Sequence, residues 1–300
     1  MAENMNKFLL LADRDFSEIR MEVEQELEPV HTKVLNIKDF NGKLYRREAK
    51  MAGFPGMNEI AEDGPVVYQE AIAPVTRRYD FVTRGSGYKI TRKLWENDEY
   101  GEVRKLEGAL LRAQRDDIEQ FAFGLCNNAT ATTVSTGFDA LALASTAHTR
   151  LDGGATQANR PTVLTAFSLA ALKDGVTTFR KWKDDRGRPY RSEPQKLLHT
   201  VDLQFTVDEV LGSPDRPDTA NRAINSLRKS TNIMPISSQY LTGTTFWALL
   251  DSKHDINVLW RNRPKQDSMT DFETRTIKRI TFFDLGRGHG EWRGFYLGNT

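Results

Sequence analysis

The chain has 300 residues and only one cysteine, Cys126. That excludes an intrachain disulfide framework and fits a reducing compartment. It has no long apolar run: Phe8 to Ala12 is followed directly by Asp13, too short for a secretory h-region and far too short to span a bilayer. The sequence therefore reads as made in, and acting from, the cytoplasm, with no membrane partner. Excess charge of one sign is missing as well. A net charge of +1 lacks the basic surplus of a dedicated nucleic-acid binder. Hydrophobic residues make up 39% and mean hydropathy is −0.55, low for one compact globule. Aromatics at 10% argue against disorder. A folded body with extended polar appendages fits these figures.

What is present is mixed strand and helix. Asp15 to Glu28 is acidic, with Ile19, Val23 and Leu27 on one helix face and Pro29 as terminator. Residues 53–64 are turn-rich, and Val66 to Val75 reads as extended. Arg77 to Arg84 leads into Gly85-Ser86-Gly87, read as a turn, and Tyr88 to Leu94 alternates like a half-buried strand. The strongest helix is Tyr100 to Leu125, with Val103, Leu106, Leu110, Ala113, Asp117 or Ile118, Phe121 and Leu125 on one face. Its acidic lead-in (Glu96, Asp98, Glu99, Glu102) suits the helix dipole, and at 1.5 Å per residue it measures about 35–40 Å. Residues 127–164, small and polar, read as a long loop or a weak strand followed by one, and mark a boundary. Ala166 to Trp182 is a second helix with Thr165 as N-cap, and Val207 to Leu211 starts another that Gly212 and Pro214 stop. Strands are expected at 196–200, 233–236, 246–250, 258–261, 274–283 and 291–297, the last two flanking a turn at Gly286, Gly288 and Gly290. The class is α+β without strict βαβ alternation.

Catalytic constellations are sparse. The histidines (His31, His148, His199, His254, His289) are isolated from one another, so no local metal-ligand pair exists, and Cys126 reads as a buried small residue. Neither glycine cluster carries a nucleotide-binding fingerprint. No cofactor and no metal is expected. Two rival readings are a cytoplasmic hydrolase using Asp184, Asp185 and His199, and a nucleic-acid-binding module using the basic strand around Arg77, Arg84, Lys89, Arg92 and Lys93.

The order of elements, and four strings in order, resemble a known family. The strings are Ala142 to His148, Gly153 to Arg160, Lys183 to Pro189 and Glu193 to Leu198. Together they resemble the major capsid protein of tailed phages, the Hong Kong 97 fold, and within it the Mu-like major head subunit group. The resemblance implies an N-terminal arm at 1–52, an extended β-hairpin loop and its return strand at 53–98, and a peripheral domain with a spine helix at 99–160. An axial domain at 161–270 and terminal strands at 271–300 complete the division. It implies no enzymatic role. It implies instead self-assembly into the hexamers and pentamers of an icosahedral shell enclosing double-stranded DNA, in a virion assembled in the host cytoplasm. Partners would be further copies of the chain, portal and scaffolding proteins, a decoration protein, and packaged DNA in non-specific contact. Candidate inter-subunit residues are Arg77, Arg78 and Arg84 of the loop region and Glu22, Glu24 and Glu26 of the acidic arm. Some relatives crosslink through a loop lysine. No lysine lies between Lys50 and Lys89, so no such isopeptide bond is expected. Scaffolding is expected from a separate protein, because little chain precedes the loop.

Overall fold

The computed structural model describes residues 19–300 except 20, 24, 25, 27, 41, 43, 55, 61, 67, 92, 95, 96, 98–100, 214–224, 228–231, 272 and 275. The short helix α1 (His31–Val34) is followed by strands β1 (Asn36–Asp39), β2 (Tyr45–Lys50), β3 (Val75–Asp80) and β4 (Val82–Thr91). Helix α2 (Glu102–Asn127) is the spine, and α3 (Leu169–Lys181) precedes β5 (Pro194–Thr200). Helix α4 (Gln204–Gly212), β6 (Met234–Ser238), β7 (Trp247–Asp251), β8 (Ile256–Asp271), β9 (Thr276–His289) and β10 (Phe295–Asn299) complete the order.

Three sheets result. The first has the order β1-β8-β9-β4, antiparallel except for the parallel β1–β8 pair. The second has the order β10-β7-β5-β6, with β5 and β6 parallel. The third is the two-stranded ribbon β2–β3, in register from Tyr45–Asp80 to Lys50–Val75.

The second sheet is sandwiched, which explains why β7 is apolar and buried at Trp247, Ala248, Leu249 and Leu250. Leu197, Trp247 and Leu249 join the cluster of α3 (Leu172, Val176, Phe179). Their neighbours Leu198, Ala248 and Leu250 join that of α2 (Ile118, Ala122, Phe123, Cys126), which also takes in Val258, Phe283 and Leu285 of the first sheet. The period-2 alternation of a strand thus feeds two cores at once. Ser168, not Thr165, caps α3, accepting from Ala171 N at 3.1 Å. Thr165 instead offers its carbonyl to Trp247 Nε1 at 3.0 Å. Pro214, expected to stop α4, and Glu96, Asp98 and Glu99, expected to lead into α2, lie outside the described residues, as does Leu27. Ile19 and Val23 of the acidic segment are helical and pack with Ile90, Val103 and Leu111.

The first glycine cluster and the first two glycines of the second turn out to lie in strands. Gly85-Ser86-Gly87 runs through the middle of β4, and Gly286 and Gly288 lie within β9. A Cβ on Gly87 would stand 2.4 Å from the Arg279 carbonyl oxygen, and one on Gly288 would stand 2.0 Å from Arg77 Nη2. These glycines permit close approach of a neighbouring strand or side chain, a use that looks like a turn in the sequence. The strand that pairs with β3 is β2, from the segment read as N-terminal arm. The described residues of 51–74 form no strand, and the segment connects the two strands of the ribbon.

Candidate inter-subunit surfaces and the spine helix

The spine helix holds the molecule together through buried acids. Glu107 is fully buried, accepts from Tyr88 Oη of β4 at 2.5 Å and from Arg279 Nε of β9 at 3.4 Å. Glu119 accepts from the His31 backbone N at 3.0 Å and from His31 Nδ1 at 2.7 Å, holding the first turn of α1. Toward the second sheet, Asp116 accepts from Tyr240 Oη at 2.7 Å, and Asn127 Nδ2 donates to the Tyr240 carbonyl at 2.9 Å. A buried ion pair is costly to break from one side, because the other charge is left unsolvated.

The buried face of α2 is therefore rotated from the one read in the sequence. Val103, Glu107, Leu111, Ile118, Ala122 and Cys126 face inward, while Leu106 is 43% exposed. Hydrophobicity alone counted Leu106 and missed the two acids, since a buried carboxylate is tolerated only with partners that other segments supply. Leu110, Ala113 and Asp117 instead line a groove of about 420 Å³ against Thr83 to Ser86 of β4 and Thr281 and Phe283 of β9.

The candidate contact residues separate into distinct settings. Arg77, read as an inter-subunit candidate, is buried within its own chain. Its guanidinium lies 3.8 Å over the Tyr79 ring and donates to Ser135 Oγ at 3.0 Å. It sits there because Gly288 leaves room for it, so it serves the fold of its own chain. Arg78 is exposed, paired with Asp80 at 2.7 Å and stacked 4.4 Å over Tyr45. Arg84 pairs with Asp117 at the groove and lies 5.1 Å over Phe121. Glu22 is helical and exposed. Glu26 accepts from Arg112 Nη2 at 2.8 Å within the same chain. Glu24 lies outside the described residues.

Sequence reading also gave the loop region a basic character, which belongs to its strands. Residues 51–74 hold Glu59, Glu62, Asp63 and Glu70 and neither lysine nor arginine. They also show the most exposed large apolar side chains of the fold: Met57 is 100% and Tyr68 93% exposed, with Phe54, Ile60 and Val66 more than half exposed. Carrying that much apolar surface on an acidic, unpaired loop costs solvation unless something covers it.

The residues proposed for hydrolysis are not assembled for it. Asp184 organises a turn, accepting from Arg186 N at 2.9 Å and Arg188 N at 2.8 Å. Asp185 is paired with Lys50 at 2.5 Å and Arg293 at 3.2 Å. His199 is buried in β5, where its Nδ1 donates to the Thr200 carbonyl at 2.8 Å and burial lowers its pKa. No hydrogen bond or ion pair among the described residues joins His199 to either acid, and no group of acids, histidines and cysteine there could hold a metal.

A long spine helix packed on two sheets, with a two-stranded ribbon carrying an exposed loop, defines the class: the Hong Kong 97-type shell subunit. Solved structures share this fold. A chain from Mycobacterium phage Adephagia has TM-score 0.56 at 10% identity, with 93% of this chain and 97% of that one covered. A chain from Microbacterium phage Oxtober96 has TM-score 0.57 at 12% identity, with 91% of each covered. A chain of a gene-transfer-agent particle, described as the capsid of the empty particle, has TM-score 0.56 at 7% identity, covering 90% and 88%. No curated protein sequence matches. Residues 74–298 match the family described as phage capsid protein, and the chain belongs to that family. It is a major capsid protein, a shell-building component of the virion.

Proposed function

We propose that this capsid subunit assembles as hexamers and pentamers into an icosahedral shell around packaged double-stranded DNA, in the cytoplasm of the host. The observation that carries the reading is the loop at 51–74, where Met57 and Tyr68 stand almost wholly exposed and Phe54, Ile60 and Val66 more than half exposed. A neighbouring copy would cover them, at about 25 cal/mol per Å² of apolar surface buried. Loop acidity suggests where it lands. The solvent side of α2 carries Lys105 and Arg112, the latter paired with Glu26 of its own chain, so the spine of the next subunit would receive Glu59, Glu62, Asp63 and Glu70. This replaces a basic loop on an acidic arm as the charge pairing between copies, with Arg78 and Glu22 left as candidates at the margins.

The reading divides the chain into the arm (1–52), loop and return strand (53–98), peripheral domain (99–160), axial domain (161–270) and terminal strands (271–300), with β8 and β9 pairing across the last boundary. Affinity with the Mu-like group rests on the four strings between residues 142 and 198. Portal and scaffolding proteins, a decoration protein and non-specific contact with DNA belong to the same proposal, as does the absence of an enzymatic role. Electron microscopy of the purified full chain tests it. Shells, tubes or rings of five and six subunits are expected, and a monomer at assembly concentrations would overturn it. Deleting residues 54–70 should abolish ordered assembly while leaving the far-UV spectrum of the subunit unchanged.

A further inference from the structure

We propose that the turn at 184–188 is a latch that fixes the angle at which the loop leaves the body, with the Arg186 guanidinium as its bolt. The two limbs of the loop neck are 17 residues apart in sequence, yet one side chain holds both. Arg186 Nε donates to the Gly53 carbonyl at 2.9 Å and its Nη2 to the Glu70 carbonyl at 2.8 Å. A planar guanidinium can bridge two carbonyls in this way, whereas a lysine ammonium on a flexible stem has no such fork.

The bolt is rooted in the core. Asp184 accepts from the backbone of Arg186 and Arg188 and from Arg188 Nε at 3.0 Å, which shapes the turn. Gly187 adopts φ +80° there, a conformation glycine takes freely. Next to the turn, Asp185 pairs with the buried Arg293, whose Nε donates to the Lys183 carbonyl at 2.7 Å and whose Nη1 donates to Glu291 at 2.8 Å. Lys50, the last residue of β2 before the loop, enters this network by pairing with both Asp185 and Glu291. So β2 is tied down at its end by Lys50, and the two limbs beyond the last β2–β3 pair, Lys50–Val75, are tied by Arg186. A two-stranded ribbon is marginal by itself. Beside these bonds the neck touches the body at buried Ala52 and where Arg188 stands next to Gly53.

The latch is a property of the single chain, and its test does not depend on where the loop lands. The full-length free subunit is treated with a glutamate-specific endoprotease, and cleavage within the loop at Glu59 and Glu62 is timed. R186A should be cut there about tenfold or more faster than the parent, the loss expected for charged hydrogen bonds at an exposed site. R186K should fall between the two, and K50M should also speed cleavage. R180A, which removes an exposed arginine 3.8 Å from Glu193, is the control and should match the parent. Loop cleavage of R186A at the parental rate, or an equal rise in R180A, would overturn the latch. Should R186A not give folded protein, K50M carries the same test with the same two outcomes.

Discussion

Acid should weaken this fold through two buried histidines as pH falls below about 6.5. His289 ends β9 with no solvent exposure; its Nδ1 lies 3.0 Å from Ser135 Oγ, and its Nε2 makes no hydrogen bond among the described residues. Burial, followed by the nearby Arg77 guanidinium, lowers its pKa to about 3 against the opposing pull of Asp139. His254 precedes β8, and burial together with Lys196 lowers it to about 4, with Asp255 and Asp251 opposing. Both are therefore neutral in the folded chain at pH 5, while in the unfolded chain they take up a proton near pH 6.5. The unfolded state binds more protons in that window, so stability is complete above about pH 7 and falls as pH drops through 6.5 toward 4. At pH 5 each histidine costs about 1.5 pH units' worth of linkage, or about 2 kcal/mol, a figure set mainly by the unfolded pKa. Urea unfolding of the free subunit at pH 7.5, 6.5, 5.5 and 5.0 measures the slope. H289N keeps a donor toward Ser135 and cannot titrate, so its loss between pH 7.5 and 5 should be smaller than the parent's by about 2 kcal/mol. Asp139 does not confuse the result. Burial raises its pKa, but the hydrogen bond and charge of His148 outweigh that and lower it, so its contribution disappears only below the ordinary carboxylate range. Stability that is flat from pH 7.5 to 5, or a slope in H289N equal to the parent's, would refute the reasoning.

Mature shells boiled in detergent should run as single subunits, because residues 51–88 contain no lysine; a ladder of covalent oligomers would contradict this. Glu107→Ala should cost about 3–5 kcal/mol in urea unfolding by removing the buried carboxylate that Arg279 Nε and Tyr88 Oη share, and a loss below about 1 kcal/mol would show that α2 is not held to β9 in this way. Cys126 is fully buried and its thiol is pushed up to about 12 by that burial, so a thiol reagent should find no reactive group in the native chain and one per chain in denaturant.

Much of the architecture is legible in residue order. The spine helix was expected at Tyr100 to Leu125 and spans Glu102–Asn127, because its 3.6-residue periodicity and polar opposite face leave no other use for so long a segment. The sandwiched strand β7 announces itself as a short apolar run. Glycine was less readable. In β4 and β9 its lack of a side chain admits a neighbouring carbonyl or Arg77, and sequence shows the missing side chain without showing what approaches it.

Sequence by itself determined the class of fold, the long helix, the exclusion of an intrachain disulfide, the lack of lysine in the loop, and the family to which the chain belongs. Those properties depend on local periodicity, composition and matched residues, all of which are contained in the order of the chain. Only the tertiary structure decided that Arg77 turns inward, that Glu107 and Glu119 are buried, that β2 rather than a following segment pairs with β3, and that Arg186 spans the loop neck. Each of these joins residues far apart in sequence. A charge is buried or exposed according to the partner that folding brings to it, and that partner's identity is not encoded in the charged residue's own neighbourhood.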